Sequence, residues 1–262
     1  MLFVTWNVNS LRARLPRVLE LLEVHQPDVV ALQETKCSTA NFPAQELDLV
    51  GYEVVHHSGG QWAGVAILVR RPLAPDEPLL CLPGDAVPTE ARWCEATVAG
   101  TRFVSTYVPN GRSLDSPEFP RKLGFLEAAA ERAATLRAAG DARSLVIAGD
   151  INIAPTDADV YNPLAYAGAT HVSEPERAGL AAIEQRGGLV DAYRYMHPDE
   201  QQFTWWDYRA GNFHKNLGMR IDLALVGEEL AEGLMACGID RDFRKGFKPS
   251  DHAPLLVWLG LG

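Results

Sequence analysis

Short, apolar, β-prone runs alternate with helical patterns along the whole chain, and that alternation leaves few architectures open. Leu2–Val8 (LFVTWNV) reads as a strand, and Leu15, Val18, Leu19 and Leu22 then fall on one face of a helix that Pro27 ends. Val29–Gln33 is the next strand. Tyr52–His57 and Gly64–Val69, flanking Ser58-Gly59-Gly60, predict an antiparallel pair, and Trp93–Val98 with Arg102–Val108 predict a second hairpin around Ala99-Gly100-Thr101. A helix follows over about Ser116–Ala139, then a strand at Leu145–Ala148 and a helix near Ser173–Arg186. Ile221–Val226 and Leu255–Leu259 complete the strands, and the Pro/Gly-rich stretch Arg71–Pro88 reads as a surface loop. Hairpins mixed with crossover helices predict an α/β (α+β) layered fold in which helices cover sheets.

Composition narrows the function classes. The 262 residues carry 24 Lys+Arg against 34 Asp+Glu, a formal net charge of −10. No apolar run approaches the ~18 residues that span a bilayer, and the start MLFVTWNVNS lacks the pattern of a secretory signal, so no membrane role and a cytoplasmic location are expected. Cys37, Cys81, Cys94 and Cys237 have neither CxxC nor CxxH spacing and read as reduced thiols. An acidic balance argues in general against nucleic acid as a partner, unless the basic residues gather on one face.

The chemistry sits where the apolar runs end. FVTWN ends in Asn7, VVALQE in Glu34, FVSTY in Tyr107, and LVIAGDIN in Asp150 and Asn152. Asp222 (RID) and Ser250-Asp251-His252 come instead just before strands. If those last two strands run antiparallel to the others, all six sets meet at one edge of the core and build an acidic cleft. Taken singly, GDxN is an ordinary turn and SDH an ordinary cap; their joint occurrence is what carries the argument.

Together WNVNSLR (Trp6–Arg12), LQETKC (Leu32–Cys37), TYVPNG (Thr106–Gly111), GDINIAPTDADVYNP (Gly149–Pro163), MRIDLALV (Met219–Val226) and SDHAPL (Ser250–Leu255) resemble the exonuclease III family of abasic-site endonucleases. That family lies within the wider exonuclease–endonuclease–phosphatase superfamily. The resemblance implies a single domain over residues 1–262, built as a four-layer α/β sandwich with two mixed β-sheets face to face and helices outside. It also implies an Mg²⁺-dependent DNA-repair phosphodiesterase, with Mn²⁺ as substitute. The activities implied are 3′→5′ exonuclease action, cleavage 5′ to abasic sites to leave a 3′ hydroxyl, and cleaning of blocked 3′ ends. The expected partner is double-stranded DNA with abasic sites or recessed or blocked 3′ ends, acted on by a monomer. A superfamily phosphatase or ribonuclease, and an inactive DNA-binding module, are the alternatives.

By the same resemblance Glu34 is a metal-binding carboxylate, Asp251 a second ligand or an outer-shell group, and Asn7 a support to the metal site; hard oxygen ligands suit Mg²⁺. Asp150 would activate the attacking water and Asn152 orient water or phosphate, while Asp222 would orient His252 and favour its protonated form. Tyr107 and Asn110 would contact the phosphate, and the sequence leaves open whether Asp150 or the Tyr107 phenolate is the base. DNA contacts are expected from Arg177, Arg209, Lys215 and Arg220, and from Trp206 and Met219 as pocket walls, with Trp205 in the core. The run Arg241–Lys248 (RDFRKGFK), four basic residues against one acid, adds a candidate phosphate-binding segment. His171 departs from the family pattern, a bulky, chargeable ring where small residues are common. It would obstruct a flipped abasic sugar and favour 3′-end trimming.

Overall fold

The computed structural model describes residues 1–140 and 144–260. Among the described residues twelve strands and six α-helices follow one another: β1 (Leu2–Asn7), α1 (Leu11–His25), β2 (Val29–Gln33), α2 (Ala44–Leu49), β3 (Tyr52–His57), β4 (Val65–Arg70), β5 (Asp76–Leu79), β6 (Trp93–Val98), β7 (Thr101–Tyr107), α3 (Glu118–Ala138), β8 (Leu145–Asp150), α4 (Glu174–Gly187), β9 (Leu189–Asp191), α5 (Ala192–Met196), β10 (Asp222–Gly227), α6 (Glu228–Glu232), β11 (Leu234–Ile239) and β12 (Leu255–Leu259). They form two six-stranded mixed sheets, ordered β11-β12-β1-β2-β4-β3 and β5-β6-β7-β8-β10-β9. This is the α/β sandwich that the sequence predicts.

Strand periodicity explains the layers. Successive side chains of a strand point to opposite faces. Phe3, Val29, Ala31 and Ile67 of the first sheet meet Ala96, Phe103, Val146 and Ala224 of the second, and the Phe3 and Phe103 rings stack across the seam at 5.3 Å. The alternate residues face outward. Val4, Val30, Leu32 and Leu68 pack under α1 through Val18, Leu21 and Leu22, while Val104, Ile147, Leu223 and Leu225 pack under α3 and α4 through Phe125, Leu126, Leu180 and Ile183. With both faces covered, the central strands read as continuous apolar runs.

The β6–β7 hairpin turns on Ala99 and Gly100 alone, both in the left-handed region at φ 49 and 80, the two-residue geometry whose twist matches the strands. The stretch Arg71–Pro88 is not all loop: β5 pairs antiparallel along the edge of β6. β9 and β11 were likewise not anticipated. These are short or edge segments without an alternating apolar pattern, and β5 carries Pro78, which only an edge strand tolerates. Among the described residues no helix is long and apolar enough to cross a membrane.

Candidate active site

Topology brings the strand-end residues together. β1 and β2 run parallel and finish at Asn7 and Gln33, with Glu34 next; in the facing sheet β7 and β8 run parallel and finish at Tyr107 and Asp150. β10 runs antiparallel to β8, with Asp222 directly opposite Asp150. β12 runs antiparallel to β1, so the Ser250–His252 segment preceding it arrives at the same edge. Local backbone sharpens the placement. Gly149 has φ 149, and a Cβ there would stand 1.9 Å from the Thr106 carbonyl oxygen, so only glycine lets β8 approach β7 this closely just before Asp150. Glu34 and Asn152 sit in the left-handed region at φ 51 and 55, an unfavourable conformation that clusters at functional sites.

The side chains are wired to one another. The Asn7 amide donates both to Glu34 Oε1 and to Asp150 Oδ2, each at 2.8 Å, while the Asn152 backbone N–H donates to Asp150 Oδ1 at 3.0 Å. His252 contacts Asp222 Oδ2 through Nδ1 at 2.8 Å and points Nε2 at Asp150 Oδ2, 3.8 Å away. The His252 carbonyl accepts from the Trp6 indole at 2.9 Å, and Ser250 Oγ donates to the Asn7 carbonyl at 2.7 Å, fastening the segment to β1. Asn110 Nδ2 donates to Asn152 Oδ1 at 3.2 Å.

Burial and charge set the protonation states. Burial pushes the Asp150 carboxyl up, and the neighbouring Asp222 and Glu34 charges add to this against the pull of His252 and Asn7, bringing it to about 7. Burial opposes charging of His252, but Asp222 and Asp150 outweigh it and lift the imidazole to about 10. Tyr107 rises well above 10 because it is buried beside Glu34 and Asp150, so it is a neutral phenol at any working pH.

Among the described residues, Glu34, Asp150 and His252 form one group whose ligand atoms lie within 4.8 Å of one another. Three carboxylates, Glu34, Asp150 and Asp222, face the His252 imidazolium and the Lys36 ammonium, which pairs with Glu34 at 2.6 Å, and Asp222 Oδ1 is buried without a hydrogen-bond partner. A surplus of hard oxygen donors and negative charge fits a small hard dication. The fit runs through Glu34, the more exposed carboxylate of the group, because both His252 nitrogens are turned to carboxylates. Asn7 offers the cluster an N–H; its oxygen accepts the Asn9 N–H at 2.9 Å. Asp251 stands outside the group, its oxygens taken by Asn9 at 2.9 Å and by the Trp205 indole at 3.1 Å.

Several expected DNA contacts are elsewhere. Arg220 is fully buried between Asp159 (2.8 Å) and Asp191 (2.7 Å), so it serves the scaffold and meets no DNA. Trp206 is fully buried against Phe203 and Ala253, and it is Trp205 that is half-buried beside Asp251, the reverse of the expectation. Met219 is buried in a small cluster with Val160 and Ile221. The basic run is also largely spent: buried Arg244 donates to the Ser250 and Trp206 carbonyls, Arg241 lies over the Trp206 ring, and Lys245 pairs with Asp242. Arg177 is bound to the Ala154 carbonyl and Asp157, while Arg209 and Lys215 are exposed. His171, at φ 75, places Nδ1 2.5 Å from the Asn152 carbonyl oxygen and Nε2 3.5 Å from Asn110 Nδ2. Burial and the nearby Lys122 ammonium hold its ring at about 4, hence neutral.

One element was missed entirely. Lys122 and Glu176 form a fully buried ion pair at 2.5 Å, and the Lys122 ammonium also donates to the Asn152 and Asn110 carbonyls at 2.7 and 3.3 Å. Glu176 accepts the His171 N–H at 2.9 Å and closes the N-terminal capping box of α4 with Ser173. Its signal was present, since Lys122 falls on the stripe of Phe119, Leu126 and Ala129 that α3 turns to the core.

This fold and this carboxylate-lined edge define a class: the chain belongs to the Endonuclease/Exonuclease/phosphatase family, which it matches over residues 4–252. Within it, the chain is similar to exodeoxyribonuclease III of Haemophilus influenzae, with 34% identity covering 97% of this chain and 98% of that protein. Among solved structures, the 3′-5′ exonuclease NExo of Neisseria meningitidis superposes with a TM-score of 0.94 at 38% identity, over 100% of both chains. An AP endonuclease from Archaeoglobus fulgidus superposes with a TM-score of 0.93 at 34% identity, again over 100% of both.

Proposed function

We propose that the chain is a DNA-repair phosphodiesterase that removes nucleotides and blocking groups from 3′ ends and cleaves DNA on the 5′ side of abasic sites, leaving a 3′ hydroxyl. The observation that carries this reading is Asp150, a buried carboxyl brought to about 7 and set between donors from Asn7 and Asn152 and the His252–Asp222 pair. Similarity to an exodeoxyribonuclease III and to an AP endonuclease supplies the substrate class.

Hydrolysis needs an activated water and neutralisation of charge on the phosphoryl oxygens. Asp150 is the base: near neutrality it exchanges between its two forms, whereas Tyr107 keeps its proton and serves as a donor to phosphate. His252, kept protonated by Asp222, presents its imidazolium to a non-bridging oxygen. Asn152 and Asn110, joined to each other, fix the phosphate beside the base. Mg²⁺, held by Glu34, would polarise a phosphoryl oxygen and offset its charge. Asp251 positions Trp205 and Asn9 around this centre. On this reading the enzyme works as a monomer in the cytoplasm, where its four free cysteines stay reduced.

The test is cleavage of an abasic-site duplex and of a 3′-recessed duplex with Mg²⁺, with Mn²⁺ and with EDTA. Metal-dependent incision 5′ to the lesion and shortening of the recessed strand are expected. Release of phosphate from inositol phosphates with neither DNA cleaved would replace this reading with a superfamily phosphatase.

A further inference from the structure

Tyr107 closes β7, and Arg92, the residue before β6, touches it at three points. The Tyr107 backbone N–H donates to the Arg92 carbonyl at 2.8 Å, Arg92 Nη1 donates back to the Tyr107 carbonyl at 3.2 Å, and the guanidinium carbon lies 4.8 Å from the centre of the Tyr107 ring. A cation over an aromatic face is attracted by the ring's quadrupole. A phenol at a strand end turns about two side-chain bonds, so strand register alone leaves the direction of its hydroxyl open, and the guanidinium removes that freedom. Only 12% of the Arg92 side chain is exposed, which leaves Tyr107, rather than a ligand, as its main contact. Arg92 is itself held: its Nε donates to Glu90 Oε2 at 2.8 Å, and Arg121 Nη2 reaches the same oxygen at 2.5 Å. Partial burial raises the Glu90 carboxyl, but the Arg121 and Arg92 guanidiniums outweigh it and hold the group below the usual carboxylate range. Arg121 and Lys122 are consecutive on α3, about 100° apart around the helix, and serve different walls of the site. Lys122 fixes the Asn110 and Asn152 carbonyls, while Arg121 braces Arg92 through Glu90.

We infer that Arg92 is a positioning residue for the reaction: seated on the Tyr107 ring and braced from α3, it fixes the direction in which the phenol donates to the scissile phosphate. The inference rests on the reading of Tyr107 as a phosphate donor. Misplacing a reacting group by about 1 Å can cost up to 10²-fold in rate, so a ring left to turn is a measurable loss.

A double-mutant cycle on a 3′-recessed duplex with Mg²⁺ reads the coupling. Arg92→Met removes the cation and keeps a flexible chain: kcat should fall about tenfold with KM within about twofold, the split expected when transition-state contact weakens and ground-state binding does not. Placed in Tyr107→Phe, which has no hydroxyl to aim, the same substitution should change kcat by less than about twofold. Arg92→Lys keeps a cation for the ring but loses the planar fork, and should stand between wild type and Arg92→Met. Equal losses in both backgrounds, which a merely structural role would give, overturn the inference, as does a rise in KM with kcat unchanged, the mark of a direct substrate contact. If Tyr107→Phe alone cleaves at the wild-type rate, the donor role of Tyr107 falls and the inference with it. If wild-type protein leaves DNA intact, the functional reading falls, while the same cycle on the phosphoester it does hydrolyse still decides Arg92.

Discussion

Asp150 and Asp159 lie on one continuous stretch of chain, both are buried, and their carboxyls are driven in opposite directions. Burial raises each. At Asp159 the Arg220 and Arg194 guanidiniums and the Thr156 hydroxyl overcome it and hold the carboxyl below the usual range. At Asp150 two further carboxylates add to the burial, and one imidazolium does not offset them. Lys122–Glu176 repeats the Asp159 case, with Glu176 held low by the buried ammonium and two hydroxyls despite its burial. A buried charge by itself is therefore no mark of chemistry. The mark is imbalance, a cluster whose charges call for a partner from outside the chain.

The largest expected break in this comparison is Asp150→Asn. Removing the base while keeping the shape should lower the turnover of recessed-end and abasic substrates by about 10³-fold or more, with DNA affinity in a gel-shift assay near wild type and the melting temperature little changed. Near-wild-type turnover would refute the assignment. The matched network responds in the opposite sense. Arg220→Met leaves Asp159 and Asp191 facing each other without their shared cation, and denaturant titration should show a loss of about 3–5 kcal/mol, the usual consequence of removing one partner of a buried pair.

That contrast also explains what the sequence could disclose. The acidic edge was legible because Asn7, Glu34, Tyr107 and Asp150 each end an apolar run, and a polar group there has the core behind it and solvent ahead. Partners were not legible. Arg220 in MRID looks the same whether it meets phosphate or, as here, a carboxylate 61 residues away in the chain. The RDFRKGFK run misled for the same reason, since Arg244 spends its guanidinium on the loop that carries Asp251 and His252. Trp205 and Trp206 are neighbours on an extended segment, so one faces in and the other out, and only tertiary packing decides which.

pH separates the two networks by sign. Asp150 binds its proton more tightly folded than unfolded, so its contribution is lost as pH rises from about 4 to about 7. His252, lifted to about 10, contributes stability that is complete below the unfolded value near 6.5 and disappears as pH climbs to about 10. The two are a coupled pair, and the titration steps belong to both. Asp159, held low, works the other way, contributing above about 3.9 and failing only in acid. Thermal melts in EDTA should thus show stability declining from pH 6 to pH 10, and Asp222→Asn should flatten the upper part of that decline. A flat profile in the wild type would mean that His252 is not held as an imidazolium.

The smallest expected effect lies where the two networks touch, at His171. Its backbone N–H rests on Glu176 of the matched pair, while its ring bonds the Asn152 carbonyl and faces Asn110 of the active site. With the ring neutral, its influence on substrate choice runs through its bulk and its hydrogen bonds rather than through charge. His171→Gly suits the backbone, because φ 75 is a conformation glycine adopts freely, so the fold is not strained by the change. It opens space beside Asn110 and Asn152 without altering the charge of Asp150 or His252. If the ring excludes a flipped abasic sugar, internal abasic cleavage should rise several-fold relative to 3′ exonuclease rate on matched duplexes, because the trimmed 3′ end has no continuing strand to accommodate. An unchanged ratio would confine His171 to bracing Asn152, and the preference between the two substrates would then have to come from outside this loop.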